Sequence, residues 1–302
     1  MTASGTAGHG AELAAYLELS DLGAVVVKSL SAEPWDGNPA PRVHETAAGM
    51  LNAVGLQNPG VEAWREHELP VLREAGARVV ASIWGFTVEA YEKAAAMLAG
   101  AHDDGVVAVE VNLSCPNVEA RRDMFAHSPS ATAEAITAVL GALRPVFGPE
   151  RAQNGLPVWA KLSPNVTDLV EIASAAHGAG AEAVTLINTL MGMAIDPSTR
   201  RPVLGNKGGG LSGAAIHPVA VRAVWDVHEA LPELPIVGVG GVGTVADAVE
   251  LLLAGASAVQ VGTAIFRDPR APARLLRDFR RWCGANAVAH LTELIGAAHG
   301  PR

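Results

Sequence analysis

The chain has 302 residues, of which 49% are hydrophobic and 18% are charged, so we expect a substantial folded core. The formal net charge of −9 and the lack of a basic cluster in the sequence argue against nucleic-acid binding. The longest apolar runs have the length of strands and no secretory signal opens the sequence, so we expect a cytoplasmic protein without membrane contact.

Apolar runs of strand length alternate with Ala- and Leu-rich segments of helical periodicity along the chain. This alternation is typical of buried parallel strands connected by helices. The strands are predicted over 24–30, 78–84, 108–115, 157–163, 183–189, 235–241 and 258–264, and the helices over 61–75, 88–100, 131–144, 167–178, 216–230 and 244–254. Seven such units are one short of a (β/α)8 barrel, so we expect a single barrel domain over residues 1–302.

The missing strand is expected at the front of the chain, where Met1 to Gly5 looks like the end of a strand followed by a turn. A barrel strand needs about five or six residues, and only two or three precede Ser4. We therefore expect a truncated first strand and a natural chain that begins upstream of Met1, because an open barrel leaves unpaired edges.

Two predicted connections, 31–60 and 190–215, are longer than is usual between a strand and a helix. Both follow the carboxyl ends of strands and are expected to cover the active face of the barrel. The polar stretch 52–60 in the first connection is predicted to be a substrate loop, with an ordinary surface turn as the alternative.

Polar side chains close the run 108–115, since Val111 is followed by Asn112, Leu113, Ser114, Cys115, Pro116 and Asn117. Cys115 and Cys283 are the two cysteines, and their separation in sequence fits a reducing compartment. The asparagines can hydrogen-bond a planar polar ligand, which favours a functional thiol over a buried structural one. The ten histidines show no metal-binding spacing, so no metal site is expected.

Two lysines, Lys28 and Lys161, stand at the ends of otherwise apolar strands. Buried lysines need a partner, and an electron-rich or anionic ligand would satisfy both. The glycine motif 238–243 matches a dinucleotide fingerprint, but the next strand ends at Gly262 and Thr263 without a carboxylate for a ribose. We interpret it as a barrel phosphate site, with tight turns alone as the alternative.

These motifs together closely resemble the catalytic subunits of class 1B dihydroorotate dehydrogenases. The resemblance runs from Ala3 to about Pro269 with every motif in order. It rests on Lys28–Leu30, Gly37–Arg42, Asn52–Gly60, Asn112–Asn117, Lys161–Asn165, Ile187–Thr189, Gly210–Gly213, Gly240–Gly241 and Gly262–Thr263. Class 2 enzymes carry serine at the position of Cys115.

The resemblance implies an FMN-containing (β/α)8 barrel that oxidises dihydroorotate to orotate in pyrimidine biosynthesis. Cys115 would remove the C5 proton while the C6 hydride passes to the flavin. Residues implied at the substrate are Lys28, Asn52, Ala53, Val54, Gly55, Leu56, Asn112, Asn117, Asn188 and Thr189. Residues implied at FMN are Ser4, Lys28, Ser29, Ser82, Asn112, Lys161, Ile187, Gly213, Gly240, Gly241, Gly262 and Thr263, with Ser82 standing where many relatives carry Asn.

The resemblance also implies a homodimer associated with a separate subunit that carries FAD and a 2Fe-2S cluster and passes electrons to NAD. A fumarate-linked class 1A enzyme and a dihydropyrimidine dehydrogenase are the enzymatic alternatives. The stretches 55–60 and 187–192 look more like class 1B, and Cys115-Pro116-Asn117 fits dihydroorotate. A catalytically silent FMN-binding scaffold is the third alternative, against which the intact Cys115 and both lysines argue.

Overall fold

The computed structural model describes residues 1–114, 124–143 and 155–300. Its centre is a parallel sheet whose strands follow one another in space in chain order, as in an α/β barrel. Numbered along the whole chain, these strands are β1 (Val25–Val26), β4 (Val79–Ile83), β5 (Val106–Asn112), β6 (Val158–Lys161), β7 (Ala183–Leu186), β12 (Ile236–Val239) and β13 (Ala258–Gln260). Each predicted strand run overlaps one of them, and β5 begins two residues before its predicted run.

The first three residues connect the two ends of this sheet. Thr2 bridges Val261 in parallel, the Ala3 N–H donates to Val261 O at 2.8 Å, and the Thr2 N–H donates to Ala24 O at 3.3 Å. The strand segment formed by the first three residues is therefore as short as expected, and its backbone hydrogen bonds reach both edges of the sheet. The predicted (β/α)8 class is confirmed.

Helices surround the sheet and mostly follow the predicted segments. They are α1 (Val61–His67), α2 (Leu69–Glu74), α3 (Val88–Met97), α4 (Pro129–Leu143), α5 (Leu169–Gly178), α6 (His217–Ala230), α7 (Val245–Leu253), α8 (Ala264–Arg267) and α9 (Ala271–Ala285). Side chains of Thr87, Asp168 and Thr244 cap α3, α5 and α7 by accepting hydrogen bonds from first-turn N–H groups. Helix α9 is absent from the sequence prediction, since its many arginines dilute the apolar pattern.

The two long connections pair with each other across the carboxyl end of the barrel. They form an antiparallel sheet in the order β2 (Val43–Thr46), β3 (Gly49–Asn52), β11 (Gly208–Ser212) and β8 (Leu190–Met193). Gly210 of β11 lies opposite Asn52 of β3. A short ribbon of β9 (Ile195–Asp196) and β10 (Arg201–Pro202) extends the second connection.

The core of the barrel itself has two parts because successive strand residues face opposite sides of a sheet. In β5, Val109 and Val111 belong to the large cluster that includes the helices, whereas Ala108 packs with Ala24, Val26 and Val80 in a separate small cluster. Glu110 and Asn112 follow Ala108 on its side of the strand, so polar groups replace apolar ones toward the carboxyl end. Within the described part of the chain, no helix is long and apolar enough to cross a membrane.

Candidate functional site

A cavity at the carboxyl end of the barrel is lined by strand ends and by both long connections. Among the predicted site residues, it brings together Ser4, Lys28, Ser29, Asn52, Val54, Gly55, Leu56, Asn112, Lys161, Ile187, Asn188, Thr189, Gly213, Gly240, Gly241, Gly262 and Thr263. Residues distant in sequence thus share one site, although the role of each stays a prediction.

Two of the predicted residues do not line this cavity. The Ala53 side chain is fully buried with Leu51 and Leu204 beneath the antiparallel sheet, so its contact with a ligand is not supported. Ser82 is also fully buried and reaches the site only through Ser29, with 2.9 Å between the two Oγ atoms. Cys115 and Asn117 lie outside the described residues.

One side of the cavity is an amide wall, formed by Ser29, Asn112, Ser114, Asn188 and Thr189. Asn112 Nδ2 donates to Ser29 Oγ at 3.0 Å, and Asn188 Nδ2 donates to Ser114 Oγ at 2.8 Å. Asn188 Oδ1 accepts from the Thr189 N–H at 2.7 Å. These hydrogen bonds fix the amide and hydroxyl groups before a ligand arrives, which is the arrangement that recognises a planar polar molecule.

The loop after β3 also lines the cavity and is held by hydrogen bonds from side chains that precede β2. Trp35 Nε1 donates to Gly55 O at 3.0 Å, and Asn38 Nδ2 donates to Ala53 O at 3.1 Å. Gly55 has φ +75°, and a Cβ there would lie 2.5 Å from Asn38 Cγ, so glycine is required. The interpretation of this stretch as part of a site is therefore favoured over that of a loose surface turn.

A second part of the cavity lining is a glycine wall, formed by Gly213, Gly240, Gly241, Gly262 and Thr263. Gly241 has φ +69°, and a Cβ there would lie 2.6 Å from His217 Cβ and 2.9 Å from Gly213 O. The backbone is thus exposed to the cavity where a side chain has no room. Thr263 Oγ1 donates to Ser212 Oγ at 2.8 Å beside it. Exposed backbone of this kind suits an anion such as a phosphate.

The two predicted lysines differ in environment. Lys161 is 5% exposed, and its Nζ lies 3.8 Å from Oε1 of the fully buried Glu110. Lys28 is partly exposed at the cavity, and its backbone N–H donates to Gly8 O at 2.9 Å. Burial lowers the pKa of the neighbouring His9 imidazole to about 4, and the positive charge of Lys28 acts in the same direction.

Sequence reasoning missed Glu110, although an acidic residue between Val109 and Val111 in a buried strand is a recognisable signal. It also left ten other cavity residues out of the predicted site. These are Ala3, Gly5, Thr6, Val43, Met50, Ser114, Ser212, Ile216, Val239 and Phe266.

A barrel with a polar cavity at the carboxyl end of its strands belongs to the class of α/β-barrel enzymes, which place their active sites there. The family model described as dihydroorotate dehydrogenase matches residues 1–282. The chain therefore belongs to the dihydroorotate dehydrogenase family.

Relatives named dihydroorotate dehydrogenase B (NAD(+)), catalytic subunit, are similar over nearly their whole length. The protein of Desulforudis audaxviator is 50% identical over 299 residues, which cover 99% of this chain and 93% of the relative. That of Geobacter sp. strain M21 is 48% identical over 297 residues, covering 98% and 93%. The resemblance to class 1B is confirmed, and with it membership in a family of FMN-dependent oxidoreductases.

The residues around the cavity fit FMN by the chemistry of their donor groups. A buried ammonium at Lys161 suits the electron-rich edge of an isoalloxazine ring, hydroxyls at Ser4 and Ser29 suit a ribityl chain, and the glycine wall suits a phosphate. Thr263 supplies a further hydroxyl at the glycine wall. One cavity therefore offers a complementary group for each part of the cofactor.

Proposed function

We propose that this chain is the catalytic subunit of an NAD-linked dihydroorotate dehydrogenase that oxidises dihydroorotate to orotate in pyrimidine biosynthesis. The observation that carries the proposal is a single cavity that is lined by both the amide wall and the glycine wall, together with Lys161. The two walls provide separate sites for a planar pyrimidine and for a cofactor phosphate.

The cofactor half of the site uses the glycine wall and the buried lysine. The backbone of Gly240, Gly241, Gly262 and Thr263 would hold the phosphate of FMN, and Lys161 would lie at the N1/C2 edge of its ring. When bound, FMN supplies the hydride-accepting chemistry that the side chains of this protein lack. A positive charge at that edge favours the reduced, anionic form.

The substrate half uses the amide wall and the loop after β3. Asn52, Asn112, Asn188 and Thr189 would hydrogen-bond the pyrimidine ring and carboxylate, with Lys28 between substrate and flavin. Ser114 lines the cavity and bonds to Asn188, and Cys115 is the next residue in the chain. By the family resemblance, Cys115 would act on the substrate held by these residues, and Asn117 would add a further amide.

We assign Cys115 as the general base that removes the C5 proton of dihydroorotate. Cys115→Ala should slow flavin reduction by dihydroorotate at least ~100-fold, since a positioned base contributes that much or more. Cys115→Ser should retain slow reduction that improves at high pH, because a hydroxyl is a weaker acid than a thiol.

Anaerobic stopped-flow absorbance measures that reduction, with orotate titration as the check on binding. Cys283→Ala, which alters a cysteine on α9 outside the cavity, is the matched control and should reduce normally. A near-normal rate in Cys115→Ala would show that another group takes the proton. A wild-type flavin that dihydroorotate does not bleach at all would instead favour the silent scaffold.

Electron transfer to NAD requires a second subunit in this proposal. The chain has two cysteines, too few for the four thiolates of a 2Fe-2S centre, and its glycine motif lacks a ribose carboxylate. A partner carrying FAD and 2Fe-2S, assembled on a homodimer of this chain, would supply the route.

The acceptor assay uses the purified chain alone with dihydroorotate and either fumarate or NAD. We expect reduction of dyes or oxygen and negligible turnover with both physiological acceptors. Rapid turnover with fumarate would establish the class 1A alternative, and rapid turnover with NAD would remove the need for a partner. Rapid oxidation of an uncharged dihydropyrimidine in place of dihydroorotate would favour the dihydropyrimidine dehydrogenase alternative.

A further inference from the structure

Glu110 is a buried acidic side chain to which neither the family resemblance nor the proposed mechanism gives a role. It is fully buried in the middle of β5, where a charged group is stable only with compensating partners. Val109 and Val111 on either side face the large apolar cluster. The Glu110 carboxylate therefore points into the barrel interior, on the side that carries Asn112 at the cavity.

Every described polar partner of this carboxylate either donates a hydrogen bond to it or carries a positive charge. Thr185 Oγ1 donates to Glu110 Oε2 at 3.0 Å, and Gln260 Nε2 donates to the same oxygen at 3.3 Å. The other oxygen, Oε1, is buried, has no hydrogen-bond partner among the described residues and lies 3.8 Å from Lys161 Nζ. This surrounding suits an anion, with one oxygen held by neutral donors and the other directed at the ammonium.

The topology explains why these residues meet. Glu110, Thr185 and Gln260 come from β5, β7 and β13, which are alternate strands of the barrel, and alternate strands contribute the side chains of one interior layer. Lys161 ends β6, where it is paired in register with Asn112, two residues beyond Glu110. Lys161 thus lines the cavity, while the carboxylate paired with its ammonium group belongs to the interior layer beneath.

We propose that Glu110 is a positioning residue for the cofactor site: its buried carboxylate holds the Lys161 ammonium and offsets part of its charge, which lowers the reduction potential of bound FMN. This inference rests on the proposed placement of FMN beside Lys161. In a low-dielectric interior two charges separated by a few ångströms act together on a third group nearby. The electrostatic potential in the cavity is therefore that of the Glu110–Lys161 ion pair rather than that of an isolated positive charge.

The test is the reduction potential of the FMN-loaded protein, measured by equilibration with a reference dye. Glu110→Gln keeps the size and the hydrogen-bonding capacity but removes the charge. At a fixed dye potential the ratio of reduced to oxidised flavin should rise about tenfold, equivalent to about 30 mV for a two-electron couple. Glu229→Gln removes an exposed carboxylate on α6 and should leave the ratio unchanged, because solvent screens that charge.

Lys161→Met separates failure of this inference from failure of the proposed cofactor placement. That variant should lower the ratio of reduced to oxidised flavin by about tenfold or more. If it does so while Glu110→Gln leaves the ratio unchanged or lower, Glu110 does not offset the charge of Lys161, but the placement of FMN beside Lys161 is still supported. If Lys161→Met has no effect, FMN does not lie beside Lys161 and both proposals are overturned.

Thr185→Val provides an independent test should Glu110→Gln fail to retain FMN. It is close in shape to the wild-type side chain and removes the hydroxyl that donates to Glu110 Oε2. Without this hydroxyl dipole, less of the negative charge of the carboxylate is cancelled locally. The offset of the Lys161 charge therefore increases, and the ratio of reduced to oxidised flavin should fall severalfold. An unchanged or higher ratio in Thr185→Val would contradict the proposal.

Discussion

The two walls of the cavity are built on opposite principles. The amide wall presents side chains, several of which hydrogen-bond one another, as in the bond from Asn188 to Ser114. The glycine wall presents backbone, and at Gly241 a side chain would overlap His217 and Gly213. The first wall can be altered one group at a time, whereas the second depends on the path of the chain.

This difference predicts different responses to substitution. A change in the amide wall removes a contact but leaves the strand ends where they are, so we expect it to affect the substrate and spare the cofactor. A change in the glycine wall forces the backbone to move, so we expect it to affect cofactor retention and stability together. The following substitutions test that division, beginning with the largest expected effect.

Gly241→Ala should cause loss of FMN and a less stable fold. Its φ of +69° disfavours any side chain, and its Cβ would clash with His217, so the free energy of unfolding should fall by roughly 1–3 kcal/mol. FMN content of the purified protein and thermal melting measure the two effects. Gly284→Ala on α9 is the control, since no atom lies within 4 Å of the place its Cβ would take and the residue is outside the cavity. Full FMN content in Gly241→Ala would show that the glycine wall is not constrained as described.

Asn188→Ala should weaken orotate binding about tenfold while leaving FMN content unchanged. It removes one amide from the cavity and leaves Ser114 Oγ without its donor, at the usual cost of a lost hydrogen bond in a partly buried site. Titration of the flavin spectrum with orotate measures the affinity. Asn286→Ala, which changes an exposed amide at the end of α9, should bind orotate normally. Loss of FMN from Asn188→Ala would erase the distinction between the walls.

Thr263→Val should weaken FMN binding a few-fold and leave orotate affinity intact. The hydroxyl is the one side-chain donor named in the glycine wall, so its loss removes a single hydrogen bond while the backbone path is kept. Fluorescence titration of the apoprotein with FMN gives the affinity, and the exposed Thr199→Val serves as the control. An effect as large as that of Gly241→Ala would mean that the side chain, rather than the backbone, dominates this wall.

His9→Phe should remove part of the loss of stability at acidic pH. The imidazole pKa is about 4 in the folded protein and about 6.5 in an unfolded chain, so the unfolded state binds the proton first. The contribution is therefore complete above about pH 6.5 and is lost as the pH falls toward 4. Urea unfolding across this pH range should show a shallower decline for His9→Phe than for wild type or for the exposed His67→Phe. Equal slopes would contradict burial of His9 beside Lys28.

Local pattern was sufficient to predict much of this protein. The alternation of apolar strands with helices fixed the barrel class, since burial on both faces produces continuous apolar runs. Polar residues at the ends of such runs identified Lys28, Asn112, Lys161 and Asn188, because the carboxyl ends of barrel strands share one edge. Repeated glycines after a strand identified Gly240 and Gly241.

Contacts between distant segments could not be predicted in this way. The pairing of β3 with β11, the burial of Ala53 beneath them and the closure of the sheet through Thr2 all depend on long-range backbone hydrogen bonds, which leave no periodic signal in either segment. The contact between Glu110 and Lys161 depends in addition on the barrel register, which brings alternate strands into one layer. The sequence by itself determined which residues are polar at strand ends, and the tertiary structure alone decided which of them meet, because side-chain identity is local whereas strand register is set by the whole sheet.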